Sequence, residues 1–261
     1  MLSWVSGSPE SAEPRSGAPS REVTLLLILA GGAWAATLAI AGGMTGMTGT
    51  MGLSLAPFLP LWTLMMVAMM VPSVAPTAAL YAKTVQDFRP VRIAGLMVGY
   101  LAVWAAAGLP AYGIAWLMGW MTSNHPGAAH AVGVTAFAVC GVYQLSRLKD
   151  RCLAHCRSPL ALLLHYGSYR GWSRDLRAGA HHGGYCLACC WGLMVILVAV
   201  GTMNVLAMVG LALLVLIEKV WAHGPAAARL AGAAALALAV ATIWFPWLAA
   251  GLHAAPAMMM H

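Results

Sequence analysis

The sequence predicts an all-α fold, a polytopic bundle of about seven membrane-spanning helices, and three observations predict it. Of 261 residues, 61% are apolar and only 8% charged, against about 25% charged in an ordinary soluble domain. The mean hydropathy is +0.80. The apolar residues also gather into runs close to the roughly 20 residues a helix needs to cross a hydrocarbon core. Such a chain has the lipid bilayer as its solvent.

Residues 1–22 form a leader rich in Ser, Pro and Gly, whose composition cannot bury a core and predicts a disordered cytoplasmic segment. Ala39-Ile40-Ala41 superficially resembles a cleavage site. The 22 residues before the first apolar run are long, of mixed charge and contain Glu10, Glu13 and Glu22, so an uncleaved anchor is expected. The bundle then occupies 23–252, with expected spans at 23–41, 58–82, 92–119, 128–147, 184–202, 204–222 and 228–252. Pro72 and Pro76 remove backbone donors from the second span and are expected to kink or open it. Gly42 with Gly46, and Gly95 with Gly99, have the spacing that lets helices approach closely, without naming a partner. Trp62, Trp120, Trp191, Trp221, Trp244 and Trp247 fall near span ends, where Trp belts the interface.

Basic residues give the orientation, because cytoplasmic connections keep an excess of Lys and Arg. Arg15 and Arg21 precede the first span, and Lys83, Arg89 and Arg92 mark the second connection. Arg147, Lys149, Arg151, Arg157, Arg170, Arg174 and Arg177 crowd the fourth, and Lys219 and Arg229 flank the sixth. These are all fourteen Lys and Arg, so the amino terminus is expected inside and the tail 253–261 outside. The formal charge of +7 is thereby read as an orientation signal, and nucleic-acid binding is not expected. The longest extramembrane stretch is expected at 148–183, where Pro159 to His165 could form a short interfacial helix.

Seventeen Met and six Cys exceed what packing requires. Five thiols sit at the cytoplasmic end: Cys152 and Cys156 in the fourth connection, then Cys186, Cys189 and Cys190 as the fifth span begins. The cytosol keeps thiols reduced, so metal binding or redox work is expected there rather than disulfides. Positions 186, 189 and 190 are i, i+3 and i+4 on one helix face, and Met194 extends the stripe by a turn. His155, His181 and His182 are spare nitrogens, whereas lone Cys140 reads as a packed hydrophobe.

The thioethers sort to the opposite half. Met44, Met47 and Met51 lie in an outer Met/Gly connection, and Met258, Met259, Met260 and His261 end the tail. Met65, Met66, Met69 and Met70 form a block on the second span, and Met203 and Met208 flank the outer hairpin. Thioethers are soft ligands that need no deprotonation and select Cu(I). Asn204, Met208, Leu211, Val215 and Glu218 share one stripe of the sixth helix. A carboxylate such as Glu218 inside a span costs about 2.5–3.5 kcal/mol on insertion scales and marks a pathway or a buried pair, with Arg147 or Lys149 as candidate partners. Lys219, adjacent to it, points elsewhere.

Several separated motifs then stand in order. They are Trp62-Thr-Leu-Met-Met-Val-Ala-Met-Met-Val-Pro-Ser73, Tyr143-Gln144 with Lys149, Cys152-Leu-x-x-Cys156-Arg-Ser-Pro159, His182-Gly-Gly-Tyr-Cys-Leu-Ala-Cys-Cys-Trp191 with Met194, Gly201-x-Met-Asn204 and Glu218-Lys219. Together, across about 62–219, they resemble the DUF2182 family of bacterial integral membrane proteins, described as predicted metal-binding proteins or copper chaperones. The resemblance implies metal handling at a bacterial inner membrane.

The resulting expectation is a multi-pass membrane protein that delivers or translocates Cu(I) by ligand exchange, working with a copper donor or acceptor protein. Met65, Met66, Met69, Met70, Met203 and Met208 would take the ion, Met194 bridge it, and Cys152, Cys156, Cys186, Cys189 and Cys190 hold it; thiolates bind more tightly than thioethers. Asn204, Glu218 and His182 are expected as pathway or structural polar groups. The alternative is a structural or assembly subunit in which zinc ties the 148–183 connection to the fifth span. No nucleophile elbow, phosphate-binding loop or His-Glu-x-x-His is present, so no enzyme is expected beyond a thiol redox role for Cys186 and Cys189.

Overall fold

The computed structural model describes residues 21–44, 47, 49–85, 87–158, 164, 166, 167 and 169–252. Among the described residues the chain is all helical: α1 Arg21–Ala41, α2 Leu55–Thr84, α3 Arg89–Asn124, α4 Pro126–Gln144, α5 Arg147–Cys156, α6 Arg174–Val200, α7 Val205–Val220 and α8 Gly224–Trp244, closed by a 3-10 segment Pro246–Leu252. The expected disorder of the leader up to residue 20, the helix at Pro159–His165 (save Leu164) and the tail 253–261 lie outside the described residues.

Six helices, α1 to α4, α6 and α8, are long and apolar enough to cross a membrane. The expected span at 204–222 becomes α7, which has 16 residues. At 1.5 Å per residue it reaches about 24 Å, less than the ~30 Å hydrocarbon core. Its start is set by Asn204, whose side-chain oxygen accepts from the Ala207 amide at 3.0 Å and so caps the helix. Hydropathy reads the apolar run without its caps, which is why the window looked longer. The 148–183 connection also differs from expectation. α5 takes its first part and α6 begins at Arg174, because a helix whose one face packs can tolerate Arg174, Arg177 and His181 on the others.

α2 is the hub. Of its apolar window 72% is buried, against 56% for α6 and 22% for α1. It runs through Pro60, Pro72 and Pro76 as one continuous helix. Neighbouring helices bury most of the segment, and Ser73 donates to the Met70 carbonyl at 2.8 Å.

Two polar clasps fix the direction of α2 against α3 and α6. At one end the Arg92 guanidinium meets Asp175 at 3.1–3.3 Å through Nε and Nη2, and the Tyr81 hydroxyl donates to the same carboxylate. At the other end the Trp62 indole donates to the Trp104 carbonyl at 2.9 Å. α2 therefore runs antiparallel to α3 and α6. Trp62 corrects an expectation, since it is buried in the core and not in an interfacial belt. Its N–H found a carbonyl on α3, so it could leave the interface at no hydrogen-bonding cost. Trp120, Trp221, Trp244 and Trp247 are exposed, as rim residues would be.

Glycines set the α3–α6 crossing. A Cβ at Gly99 would stand 2.0 Å from the Leu176 carbonyl oxygen, and one at Gly179 would stand 1.9 Å from that of Leu96. The Gly95/Gly99 pair thus meets α6, with backbone against backbone.

Candidate metal centre

α6 places Cys186, Cys189 and Cys190 on one inward face, and all three are fully buried. α5 packs against the middle of α6, at His181, Tyr185 and Cys189, and contributes Cys152 and Cys156, a helical turn apart and each less than a tenth exposed. Cys189 and Cys190 sulfurs stand 3.3 Å apart, and the Cys156 thiol donates toward the Cys189 sulfur at 3.9 Å. The six described cysteines are free thiols. Among the described residues no group of three or more His, Cys, Asp or Glu forms a ready metal cage. The thiols come as close pairs, Cys189 with Cys190 and Cys156 with Cys189, in the same buried core as the thioethers.

The methionines complete the core. Met65, Met66, Met69 and Met70 are at most 1% exposed, because α2 is enclosed by its neighbours. Met208 is fully buried and Met194 and Met203 nearly so. Every one of these seven thioethers and the five thiols belongs to a single buried cluster. Axial order follows from the antiparallel packing. Ser73 of α2, Cys186 of α6 and Lys219 of α7 stand at one level, since the Lys219 ammonium reaches Cys186 Sγ at 2.8 Å and Ser73 Oγ at 3.3 Å. From that level Met65 lies eight residues along α2 and Met194 eight along α6, about 12 Å in each case. Met208 lies eleven residues along α7, about 17 Å away. Met194 also lines a groove of about 470 Å³ between α2, α3 and α6, walled by Trp62, Trp104 and Trp191.

Polar groups surround the thiol end. The Tyr100 hydroxyl is 3.1 Å from Cys186 Sγ. On the other side of α7, Glu218 accepts from Lys149 at 2.6 Å and from the Gln144 amide at 2.7 Å, and Lys149 donates again to the Cys189 carbonyl at 2.7 Å. The ion pair is sealed, with side-chain exposures of 0% and 1%. Burial works against the Lys149 charge, but the neighbouring thiols and the Glu218 carboxylate outweigh it and hold the ammonium's pKa above its ordinary value. Arg157, one residue past Cys156, donates to the carbonyls of Glu218, Trp221 and Ala222 and so caps the end of α7. α5 is thereby locked onto both α6 and α7.

Of the expected polar residues, Glu218 pairs with Lys149 rather than Arg147, and Asn204 caps α7. His182 is 4% exposed, 5.9 Å from the Tyr100 ring between centroids, with Nδ1 lacking a partner among the described residues. His155 and His181 enter an aromatic cluster with Tyr166, Tyr169 and Tyr185. Met51 is buried, and Met44 packs against the same core. Two residues outside the expected set meet Cys186: Tyr100 and Lys219. Lys219 did carry a signal, since a cation inside an apolar run is itself a marker of function. Tyr100 carried none, because it meets Cys186 from 86 positions away.

Residues 59–242 of the chain match the PpoB2 family, described as a copper chaperone. Neither a curated protein nor a solved structure matches the chain.

Proposed function

The chain belongs to the PpoB2 family of copper chaperones over residues 59–242, and from this premise we propose that it carries Cu(I) through a membrane-embedded sulfur column by ligand exchange. The observation that carries the reading is the burial of seven thioethers and five thiols in one cluster, with the thiols gathered at one end. A soft, monovalent ion is the cargo that suits this donor set, because thioethers and thiolates both favour Cu(I).

In this reading the ion enters among Met203 and Met208, passes Met65, Met66 and Met194, which stand at about one level, then Met69 and Met70, and rests at Cys186, Cys189 and Cys190, with Cys152 and Cys156 beside them. The transfers among thioethers exchange like donors, the handover to the thiolates replaces a weaker donor by a stronger one, and a thiol-bearing acceptor protein takes the ion away. The membrane is the bacterial inner membrane. The amino terminus and the basic connections face the cytoplasm, by the distribution of Lys and Arg. The exchange is transport chemistry, with no organic substrate transformed. A structural zinc site at the same cysteines is the rival, and it leaves the α2 methionines without a role.

The test is a variant with Leu at 65, 66, 69 and 70, which conserves volume and hydrophobicity. In proteoliposomes given Cu(I) on the thioether side, loading of the thiols should slow by roughly tenfold or more, about 1.4 kcal/mol in the barrier. Equilibrium binding at the cysteines should stay close to wild type. An unchanged loading rate would remove the methionines from the path and favour zinc.

A further inference from the structure

At the thiol end Lys219 is a cation in contact with a thiol and with no carboxylate partner among the described residues. Glu218 is occupied by Lys149 and Gln144. Arg157 is turned to backbone carbonyls at the end of α7. The other ion pairs, Arg89 with Glu22, Arg92 and Arg174 with Asp175, and Arg229 with Asp150, stand elsewhere. Among the described residues no carboxylate pairs with Lys219, whose ammonium instead touches Cys186 Sγ at 2.8 Å and Ser73 Oγ at 3.3 Å. An ammonium amid apolar helices without a counter-ion is costly, so its retention calls for a negative partner.

We propose that Lys219 is the counter-charge of the metal site and makes it selective for a monovalent ion held by two thiolates, Cys186 and Cys190. The proposal rests on the copper reading above and supplies its selectivity. Cys186 and Cys190 lie one turn apart on the buried face of α6. When one Cu(I) enters, each thiol gives its proton to solvent and becomes a thiolate, so no electron moves and no oxidant is required. One positive charge arrives and two leave. The site with its two neutral thiols and Lys219 carries +1; loaded, it is neutral. A divalent ion on the same two thiols leaves the +1 in place, in a setting where an unbalanced charge is penalised. Before loading, the ammonium holds a cation's place against Cys186.

Competitive titration of the full-length protein with Cu(I), Ag(I) and Zn(II), anaerobically and against chelators of known affinity, tests this. Lys219→Met should weaken Cu(I) and Ag(I) by about 10- to 100-fold, as loss of an outer partner of a metal site does. Zn(II) should be unweakened, so the Cu(I) to Zn(II) ratio falls. Lys219→Arg keeps the charge and should keep the ratio near wild type, and Lys219→Gln provides a second uncharged variant should Met impair folding. An unchanged ratio in both uncharged variants overturns the role of Lys219, as does an equal loss for all three ions, which marks a structural defect. If the wild type itself binds neither Cu(I) nor Ag(I) in a way that Cys186→Ser abolishes, the copper reading fails, and the role of Lys219 with it.

Discussion

Glu218→Ala is expected to destabilise the protein by about 3–5 kcal/mol, the cost of leaving one member of a buried ion pair uncompensated. Lys149 is then left with a charge, no exposure and one remaining acceptor, the Cys189 carbonyl. Gln144 loses the acceptor for its amide at the same time. The penalty comes from desolvation, so it should largely vanish in the double variant Lys149→Met/Glu218→Met, where no polar group is orphaned except the Gln144 amide. Unfolding in mixed micelles, read as a double-mutant cycle, checks both statements. A loss below about 1 kcal/mol for Glu218→Ala, the range of exposed pairs, would mean that water reaches the pair. Because Lys149 also holds the carbonyl of Cys189, the single variant should loosen the thiol end as well as the fold.

Gly179→Leu is the second large effect. The Cβ alone would fall 1.9 Å from the Leu96 carbonyl oxygen, a backbone atom that cannot rotate away, and the reciprocal contact at Gly99 is as tight. Overpacking in ordinary cores costs about 1–3 kcal/mol. Here α3 and α6 must separate along their whole crossing, so the cost should exceed that range. The separation also pulls Tyr100 away from Cys186, and with it one wall of the proposed metal site. Gly179→Leu should therefore lower both thermal stability and Cu(I) affinity. Gly184→Leu, where a Cβ meets nothing within 4 Å, should be much milder and serves as the control. Equal stability in the two variants would contradict the packed crossing.

What the sequence made legible was what depends on periodicity. Apolar runs announced seven helices in order, and the i, i+3, i+4 spacing of Cys186, Cys189 and Cys190 announced one sulfur face. The Gly95/Gly99 spacing announced a close approach, though its partner on α6 needed three-dimensional packing. Helix ends were less legible. α7 is bounded by the Asn204 cap and α6 starts among arginines, neither of which hydropathy registers. Contacts across the chain were hardest. Lys219 was set aside because its neighbour Glu218 faces another way, yet pointing away from Glu218 aims it at Cys186. Trp62 sat where an interfacial Trp would sit, and only the Trp104 carbonyl explains its burial.

The most direct measurement is X-ray absorption at the metal of anaerobically copper-loaded protein, comparing wild type with the Cys186→Ser/Cys189→Ser/Cys190→Ser variant. The account predicts low-coordinate copper bound by sulfur alone in the wild type and loss of that signal in the variant. Oxygen-rich ligation, no retained copper, or identical spectra from the two proteins would contradict it.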